Sequence, residues 1–249
     1  MVSREYQLRY SKGKEVLKNV AGRSQKFRKI LGVMKDFCPH TESLSCLDMG
    51  CSNGIIASFL GDYFLRVTGI DIDEEAIPYA HAHYGSPRVR FLVGDSMALP
   101  LRSGTMDVIV CNHIYEHVPD ARRMMEEIHR VLKEKGFCYF AAGNKHMITE
   151  GHYHLPFLSW LPKRAAHLYL RWTGRGNVYY EEHLSFRGLK DLVRRFTVHD
   201  YTLSIIRDPQ KYSASDLFDT NSLLYRLMKR VAPYLYPLIP TYVWILTKK

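Results

Sequence analysis

Cysteine is scarce in this sequence, and apolar runs long enough to cross a membrane are lacking. The five cysteines among 249 residues form no Cys-x-x-Cys pair, which disfavours a disulfide framework and a cysteine-bound metal. The most apolar stretch, Ala232 to Leu246, contains three prolines and is shorter than the ~20 residues of a membrane-spanning helix. The opening Met-Val-Ser-Arg-Glu lacks the apolar core of a secretion signal. We therefore expect reduced thiols and a cytoplasmic protein, with peripheral contact at a membrane surface left open.

Charge is unevenly distributed along the chain. The net charge of +10 divides into +6 over residues 1–45, −4 over residues 46–150 and +8 over residues 151–249. Basic flanks of this kind bind nucleic acid, anionic lipid or anionic substrates, although a solvated basic surface explains them equally well. The hydrophobic content of 46% and charged content of 24% are those of a globular protein, so disorder, collagen and coiled coil are excluded as global descriptions.

Short apolar runs alternate with helical patterns from residue 45 onward. The predicted strands are Ser45–Met49, Arg66–Ile70, Val89–Val93, Met106–Cys111 and Phe137–Ala142. The predicted helices are a basic amphipathic one over 24–37, then Ile55–Leu60, Glu74–His83 and Asp120–Lys133, the last expected to end at Gly136. This alternation predicts a parallel sheet covered on both faces. Beyond residue 143 we expect a helix at Arg187–Phe196, strands near Val198–Ile206 and at Tyr242–Leu246, and an amphipathic stretch at Leu223–Val231.

A glycine-containing turn joins the first predicted strand to the first helix after it. In the segment Leu47 to Gly54, Gly50 and Gly54 allow the backbone to approach a ligand at the helix N-terminus. Ligands of open α/β sheets bind at this edge, although a tight turn without a ligand would look similar. The dinucleotide fingerprint G-x-G-x-x-G is absent, because Ser52 and Ile55 stand where glycines would be needed.

Polar residues end three further strands at the same predicted rim. Asp71 lies 21 residues beyond Gly50 and can accept both hydroxyls of a ribose. Asp95, followed by Ser96, could reach a purine amine, and Asn112 ends the fourth strand. Crowded carboxylates disfavour a pyrophosphate and favour a cationic ligand with an adenosine part. S-adenosylmethionine has those properties.

The sequence resembles the class I S-adenosylmethionine-dependent methyltransferases, in particular the type 11 group that includes ubiquinone- and menaquinone-type enzymes. The resemblance covers roughly residues 43–145 and, more loosely, Glu182–Phe196. The matching motifs are Asp48-x-Gly50-x-x-x-Gly54, Gly69-Ile70-Asp71, Gly94-Asp95-Ser96, Glu116-His117-Val118-Pro119-Asp120, and the run from Arg130 to Phe137. These motifs are specific for cofactor and fold but are poor guides to the substrate. Ser52 departs from the commoner middle glycine of the loop.

The resemblance implies a Rossmann-like fold: a seven-stranded, mostly parallel sheet with an antiparallel last strand and helices on both faces. It implies one domain over residues 1–249, with a basic helical extension at 1–42 and a cofactor-binding core at 43–145. We expect two acceptor-side lid insertions, at 144–183 and 207–240, with Trp160 and His183 facing the substrate.

The resemblance also assigns roles to individual positions. Asp48, Gly50 and Gly54 are expected at the methionine part of S-adenosylmethionine, Asp71 at the ribose, and Asp95 and Ser96 at adenine. Asn112 or His113 would lie near the methyl group. The cofactor-binding set that we predict is completed by Cys51, Ser52, Ile72 and Met97.

Methyl transfer to a hydroxyl or amine can require removal of a proton, and histidines are the candidate bases. Our predicted catalytic residues are His183, His117 and His113, with His152 and His154 as further candidates. A structural hydrogen bond is the competing explanation for each. If helical, His113, Glu116 and His117 would share one face and could bind a divalent metal. Related quinone methyltransferases have an acidic residue in place of His113, so we expect no metal and assign Glu116 and His117 to ordering the loop.

The leading functional prediction is methyl transfer to oxygen or nitrogen of a small-molecule, lipid or glycan acceptor. Basic amphipathic segments with Trp160 and several tyrosines suit a lipid-like acceptor or an anionic membrane surface. The alternatives are an RNA methyltransferase, which the basic flanks favour, and a non-catalytic cofactor-binding scaffold. Nucleic acid is the less favoured partner, because no Asn-Pro-Pro-aromatic motif follows the fourth strand.

Overall fold

A central sheet organises the computed structural model, which describes residues 5–8 and 19–249. Within those residues the sheet has seven strands in the order β3-β2-β1-β4-β5-β7-β6. Strands β1 to β5 pair in parallel, whereas β7 runs antiparallel to both β5 and β6. This confirms the predicted Rossmann-like topology. The strands are β1 Ser45–Met49, β2 Arg66–Asp71, β3 Val89–Val93, β4 Met106–Asn112, β5 Leu132–Gly143, β6 Phe196–Asp200 and β7 Thr241–Lys248.

Helices cover both faces of the sheet. In chain order they are α1 Glu5–Leu8, α2 Val20–Phe37, α3 Ile55–Leu60, α4 Ala76–Tyr84, α5 Ala121–Val131, α6 Lys163–Trp172, α7 Phe186–Leu192, α8 Thr202–Arg207 and α9 Leu223–Val231. Several begin at a side-chain cap. Asp120, for example, accepts hydrogen bonds from the backbone N–H groups of Arg122 and Arg123, which fixes the start of α5.

The core is divided into two layers by the alternation of side chains along the strands. Leu47 and Ile109 point into one layer, where they meet α5 and α7. Cys46 and Val108 point into the other layer, where they meet α2, α3 and α4. Helix α2 contributes four buried residues to this second layer and is therefore part of the domain core. The remainder of the predicted N-terminal extension, residues 1–4 and 9–18, lies outside the described residues.

Several boundaries differ from the sequence-based predictions, among them the ends of α5 and α7 and the start of α8. Helix α5 ends at Val131, and Gly136 lies inside β5, where a Cβ would approach the Asp107 carbonyl oxygen to 2.7 Å. That glycine therefore permits close strand pairing and does not end a helix. Helix α7 stops at Leu192. The strand predicted near Val198–Ile206 is wrong in its second half, because β6 ends at Asp200. Asp200 accepts a hydrogen bond from the backbone N–H of Thr202 and so helps to start α8.

The segment after β5 folds largely on itself. Leu155, Leu158, Ala166, Leu170 and Tyr179 form a third, smaller apolar cluster around α6. Asn144 and Leu184 pair in a short parallel bridge, which brings the two ends of the segment together beside the sheet. Within the described part of the chain, no helix has the length and apolar character needed to cross a membrane.

Candidate active site

A cavity of about 540 Å³ opens at the carboxyl ends of the parallel strands. This is the edge at which open α/β sheets bind ligands, and the volume is that of a small-molecule site. The structure brings eleven of the predicted site residues together in its wall: Asp48, Gly50, Cys51, Ser52, Asp71, Ile72, Asp95, Ser96, Asn112, His113 and His117. Three predicted residues, Gly54, Met97 and His183, are not among the described residues that line it.

The turn between β1 and α3 has an unusual backbone. Gly50, Ser52 and Gly54 all have positive φ, at 73°, 49° and 82°. A Cβ at Gly50 would come within 2.2 Å of Ile114 Cδ1, and one at Gly54 within 2.6 Å of the Phe91 ring. Gly50 borders the cavity directly, whereas Gly54 shapes the turn from behind it by packing against β3.

Asp71 ends β2 and is held in place by backbone donors. Its carboxylate accepts hydrogen bonds from the N–H of Ser52 at 2.7 Å and the N–H of Asp73 at 3.0 Å. Burial raises the pKa of this carboxyl above its ordinary value, against those two hydrogen bonds. A carboxylate has about four acceptor positions, so two remain for a ligand with adjacent hydroxyls.

Asp48 is the buried carboxylate of the site. It is 5% exposed, and its Oδ2 has no hydrogen-bond partner among the described residues. The Ser52 hydroxyl, also in the cavity wall, likewise has no partner in the described chain. Burial raises the pKa of Asp48 to about 7, while the charge of Arg23 acts in the opposite direction. A buried polar atom without a partner is costly, so both atoms fit a ligand that donates hydrogen bonds.

The end of β3 and the end of β4 complete the rim. Asp95 accepts a hydrogen bond from the N–H of Met97 at 2.9 Å, which orders the turn beside Ser96. The Met97 side chain packs into the core layer of α5 instead of the cavity. Asn112 is the last residue of β4 and lines the cavity.

Cations from the N-terminal part of the chain also line the cavity, and the sequence reasoning missed them. Arg23 and Lys26 of α2 lie in its wall, together with Asn19, Gly22 and Gln7. The basic amphipathic pattern of α2 was visible in the sequence, but it identified the apolar face and not the partner of the polar face. Two cations beside two carboxylates give the cavity donors and acceptors for a zwitterionic group.

Two of the three histidines predicted as catalytic line the cavity, and the third lies behind its wall. His113 and His117 lie in the wall, on a turn and not on a helix, and His113 has a positive φ of 57°. His113 Nδ1 is 3.1 Å from Glu116 Oε1. Burial lowers the pKa of His117 to about 4, although the Glu116 charge opposes this, so the ring is neutral at physiological pH.

His183 lies behind the wall. Its side chain is 2% exposed, and its Nε2 is 3.3 Å from Glu150 Oε1. Trp160, also predicted to face the substrate, is 44% exposed, and its indole N–H donates to the Met147 carbonyl. Among the described residues of segment 144–183, the cavity wall contains Gly151 and His152.

Comparison with known proteins agrees with this geometry. Residues 47–140 match a family model described as a methyltransferase domain. A probable S-adenosylmethionine-dependent methyltransferase of Mycolicibacterium smegmatis is 28% identical over 139 residues, 56% of this chain and 53% of that protein. The ubiquinone biosynthesis O-methyltransferase of Coxiella burnetii is 31% identical over 101 residues, 40% of this chain and 43% of that protein. The chain thus spans about half the length of the curated relatives that it matches.

Solved structures show the same fold. A S-adenosylmethionine-dependent methyltransferase from Mesorhizobium loti aligns with a TM-score of 0.57 at 15% identity, over 86% of this chain and 95% of that one. The phosphoethanolamine N-methyltransferase 2 of Haemonchus contortus, solved with S-adenosyl-L-methionine, aligns with a TM-score of 0.60 at 15% identity, over 100% of this chain and 60% of that one. Residues 47–140 thus carry a methyltransferase domain that is similar to class I S-adenosylmethionine-dependent methyltransferases, whose cofactor is S-adenosylmethionine.

Proposed function

We propose that this chain transfers a methyl group from S-adenosylmethionine to an oxygen or nitrogen atom of a small-molecule, lipid or glycan acceptor. The observation that carries the proposal is the cavity at the strand ends, in which Asp48, Asp71 and Asp95 stand beside Arg23 and Lys26. These acceptors and donors match a ligand with an ammonium, a carboxylate, a ribose and a purine. The sulfonium of the cofactor supplies the methyl group.

Each part of the cofactor has a candidate partner in the wall. Asp71 would accept the ribose hydroxyls through its two unused acceptor positions. Asp48 would accept from the ammonium, and Arg23 with Lys26 would donate to the carboxylate. Asp95 and Ser96 would hold the adenine, as the family resemblance implies. The wall would therefore orient the cofactor through charge pairs at the strand ends.

The acceptor side is proposed to be formed by His113, His117 and His152. All three line the cavity, and His117 is neutral at physiological pH, but its pKa of about 4 makes it a weak base. The lid proposal for 144–183 rests on Gly151 and His152, which line the cavity from that segment. His183 would act through Glu150 as a positioning residue, because it is buried behind the wall.

A lipid-like acceptor and contact with an anionic membrane form the finer part of the proposal. Helix α9 exposes Leu223, Leu224 and Leu227 at 78%, 76% and 58% of their surface. The same helix carries Arg226, Lys229 and Arg230. Apolar side chains beside cations are typical of surfaces that lie on anionic lipid.

Calorimetry with S-adenosylhomocysteine tests the cofactor assignment. We expect Asp71→Ala to weaken binding by about 1.5–3 kcal/mol, because the ribose loses a charged acceptor. Asp216→Ala is the matched control, since Asp216 pairs with Lys29 on α2 and is not among the described residues lining the cavity. Unchanged affinity in Asp71→Ala would remove Asp71 from the ribose site.

Transfer of labelled methyl groups to candidate acceptors tests the activity. Product formation on a lipid or small molecule supports the proposal. Salt-sensitive retention of RNA together with RNA methylation would favour the RNA alternative. Cofactor binding without transfer to any acceptor would favour the scaffold alternative.

A further inference from the structure

A cluster of imidazoles and carboxylates lies directly behind the acceptor side of the cavity. Glu150, His152 and His183 form its centre, and their ligand-type atoms all lie within 4.8 Å of one another. Glu150 Oε1 is 2.7 Å from His152 Nδ1 and 3.3 Å from His183 Nε2. We call these three residues the Glu150 cluster.

The Glu150 carboxylate is fixed so that one oxygen points into the cluster. Its Oε2 accepts hydrogen bonds from the backbone N–H groups of His152 and Tyr153, both at 2.8 Å. Its Oε1 is thereby left facing the two histidines. Carboxylates that bind a metal ion are typically oriented by hydrogen bonds of this kind.

Buried negative charge accumulates around the Glu150 cluster. Glu116, Glu150 and Glu181 are 1%, 0% and 3% exposed. Their ion pairs within the described chain are made with histidines and not with lysine or arginine. Lys163 offers partial compensation near Glu181, where its ammonium donates to that residue's backbone carbonyl. Buried carboxylates are stable when a cation is held among them.

Unpartnered oxygens of this group supply an independent indication of a ligand. Glu116 Oε2 and Glu181 Oε2 are buried and have no hydrogen-bond partner among the described residues. Glu116 also offers an oxygen within 4.8 Å of ring nitrogens of His117 and His152, so its carboxylate is aimed at the cluster. The side chain of Glu181 is 4% exposed, and its Oε1 is 3.9 Å from His117 Nδ1.

We propose that Glu150, His152 and His183 bind a divalent transition-metal ion at the wall of the cavity. Two imidazoles and one carboxylate are ligands that suit zinc, manganese or iron, whereas magnesium and calcium prefer oxygen ligands alone. Ligand atoms within 4.8 Å need small movements to surround one ion at ~2.1 Å. This donor set departs from the sequence-based expectation of no metal, and it differs from the set His113, Glu116 and His117 considered there.

The position of the ion gives it access to the acceptor. His152 belongs both to the cluster and to the cavity wall, and its side chain is 26% exposed. Three protein ligands leave an open coordination position, which an acceptor oxygen or a water molecule could fill. The site therefore goes beyond methyl transfer as proposed above and adds a cation to the acceptor side.

Metal titration of the untagged, chelator-treated full chain tests this proposal. We expect calorimetry to show about one equivalent of Zn²⁺ or Mn²⁺ per chain and no comparable binding of Mg²⁺. His152→Gln should weaken Zn²⁺ binding by about 100-fold or more, because it removes a ligand. His154→Asn is the matched control, since this exposed histidine lies in the same loop and asparagine tolerates its positive φ of 54°.

Two further measurements keep the test decisive. Glu150→Gln, checked for folding by circular dichroism, should also weaken binding, because a neutral amide replaces the anionic ligand. The visible spectrum of the Co²⁺-loaded protein should show low-coordinate nitrogen and oxygen ligation that is lost in His152→Gln. A wild-type chain that binds no stoichiometric Zn²⁺ or Mn²⁺ would overturn the proposal. Binding that is equal in wild type, His152→Gln and Glu150→Gln would overturn it as well.

Discussion

Asp48 joins the interior of the sheet to the cofactor cavity. Its position in β1 is fixed by parallel pairing with β2 and β4, so the carboxylate has little freedom to reach water. One oxygen has no partner among the described residues, and burial raises the pKa to about 7. A buried acid with a pKa near neutrality is poised to ionise when a cation arrives.

Cofactor affinity should therefore depend on pH through Asp48. Below pH 7 the carboxyl is mostly protonated and cannot pair with the ligand ammonium, whereas above pH 7 it is ionised. We expect the affinity for S-adenosylhomocysteine, measured by calorimetry, to rise roughly tenfold between pH 6 and pH 8. His117 does not confound the comparison, because its pKa of about 4 keeps it neutral throughout this interval.

Asp48→Asn is the variant that isolates this effect. It keeps the shape of the side chain but removes the ionisation, so its affinity should be lower at pH 8 and change little with pH. An unchanged pH profile in Asp48→Asn would show that another group controls the titration. Asp71 and His152 are other candidates, because burial raises the pKa of Asp71 and the hydrogen bond to Glu150 raises that of His152 against the effect of burial.

At the scale of elements, the sequence patterns were most informative where a local run of residues determines both the type of element and its burial. Strands β1 to β4 lie where their apolar runs predicted, because a buried parallel strand needs a continuous apolar segment. The cavity residues at the strand ends followed from the same reasoning. Arg23 and Lys26 were missed because the position of α2 over the rim depends on long-range packing of Phe27 and Ile30.

The later elements were harder to predict for a related reason. The run from Val198 to Ile206 is rich in β-branched residues, which favour a strand. The local cap at Asp200 and the contact of α8 with β7 produce a helix in its second half instead. The Glu150 cluster brings His183 to Glu150 and His152 from 33 residues beyond Glu150, so no spacing rule would have grouped all three.

The turn between β1 and α3 permits a prediction at this scale. Gly54→Ala should lower the free energy of unfolding by about 2–5 kcal/mol, from the strained φ and from overlap with Phe91. Gly104→Ala is the matched control, because Gly104 also has a positive φ, of 62°, but a Cβ there would meet nothing within 4 Å. Its loss should be about 1–2 kcal/mol. Equal losses in denaturant titrations would show that packing behind the loop contributes nothing.

At the scale of the whole molecule, the positive charge and the exposed leucines of α9 lie in a different part of the chain from the acidic cofactor-binding segment. Residues 46–150 carry the cofactor motifs and a net charge of −4, whereas residues 151–249 carry +8. Helix α9 belongs to the basic part and is anchored by Tyr225, which is buried and donates to the Ile206 carbonyl at 2.9 Å. The leucines beside Tyr225 remain exposed, so the helix presents them while its own position is fixed.

This arrangement predicts that the chain binds vesicles containing phosphatidylglycerol. The double variant Leu223→Ser/Leu224→Ser should reduce retention in co-sedimentation by at least about tenfold, because it removes two side chains able to enter the lipid interface. Cofactor affinity should stay unchanged, since neither leucine is among the described residues of the cavity wall. Leu65→Ser is the control, because Leu65 is 52% exposed but precedes β2 at the opposite end of the strands.

Neutral phosphatidylcholine vesicles and added salt should both weaken retention of the wild type, since part of the attraction comes from Arg226, Lys229 and Arg230. Equal retention of the wild type and the double variant would show that α9 is not the lipid-binding surface.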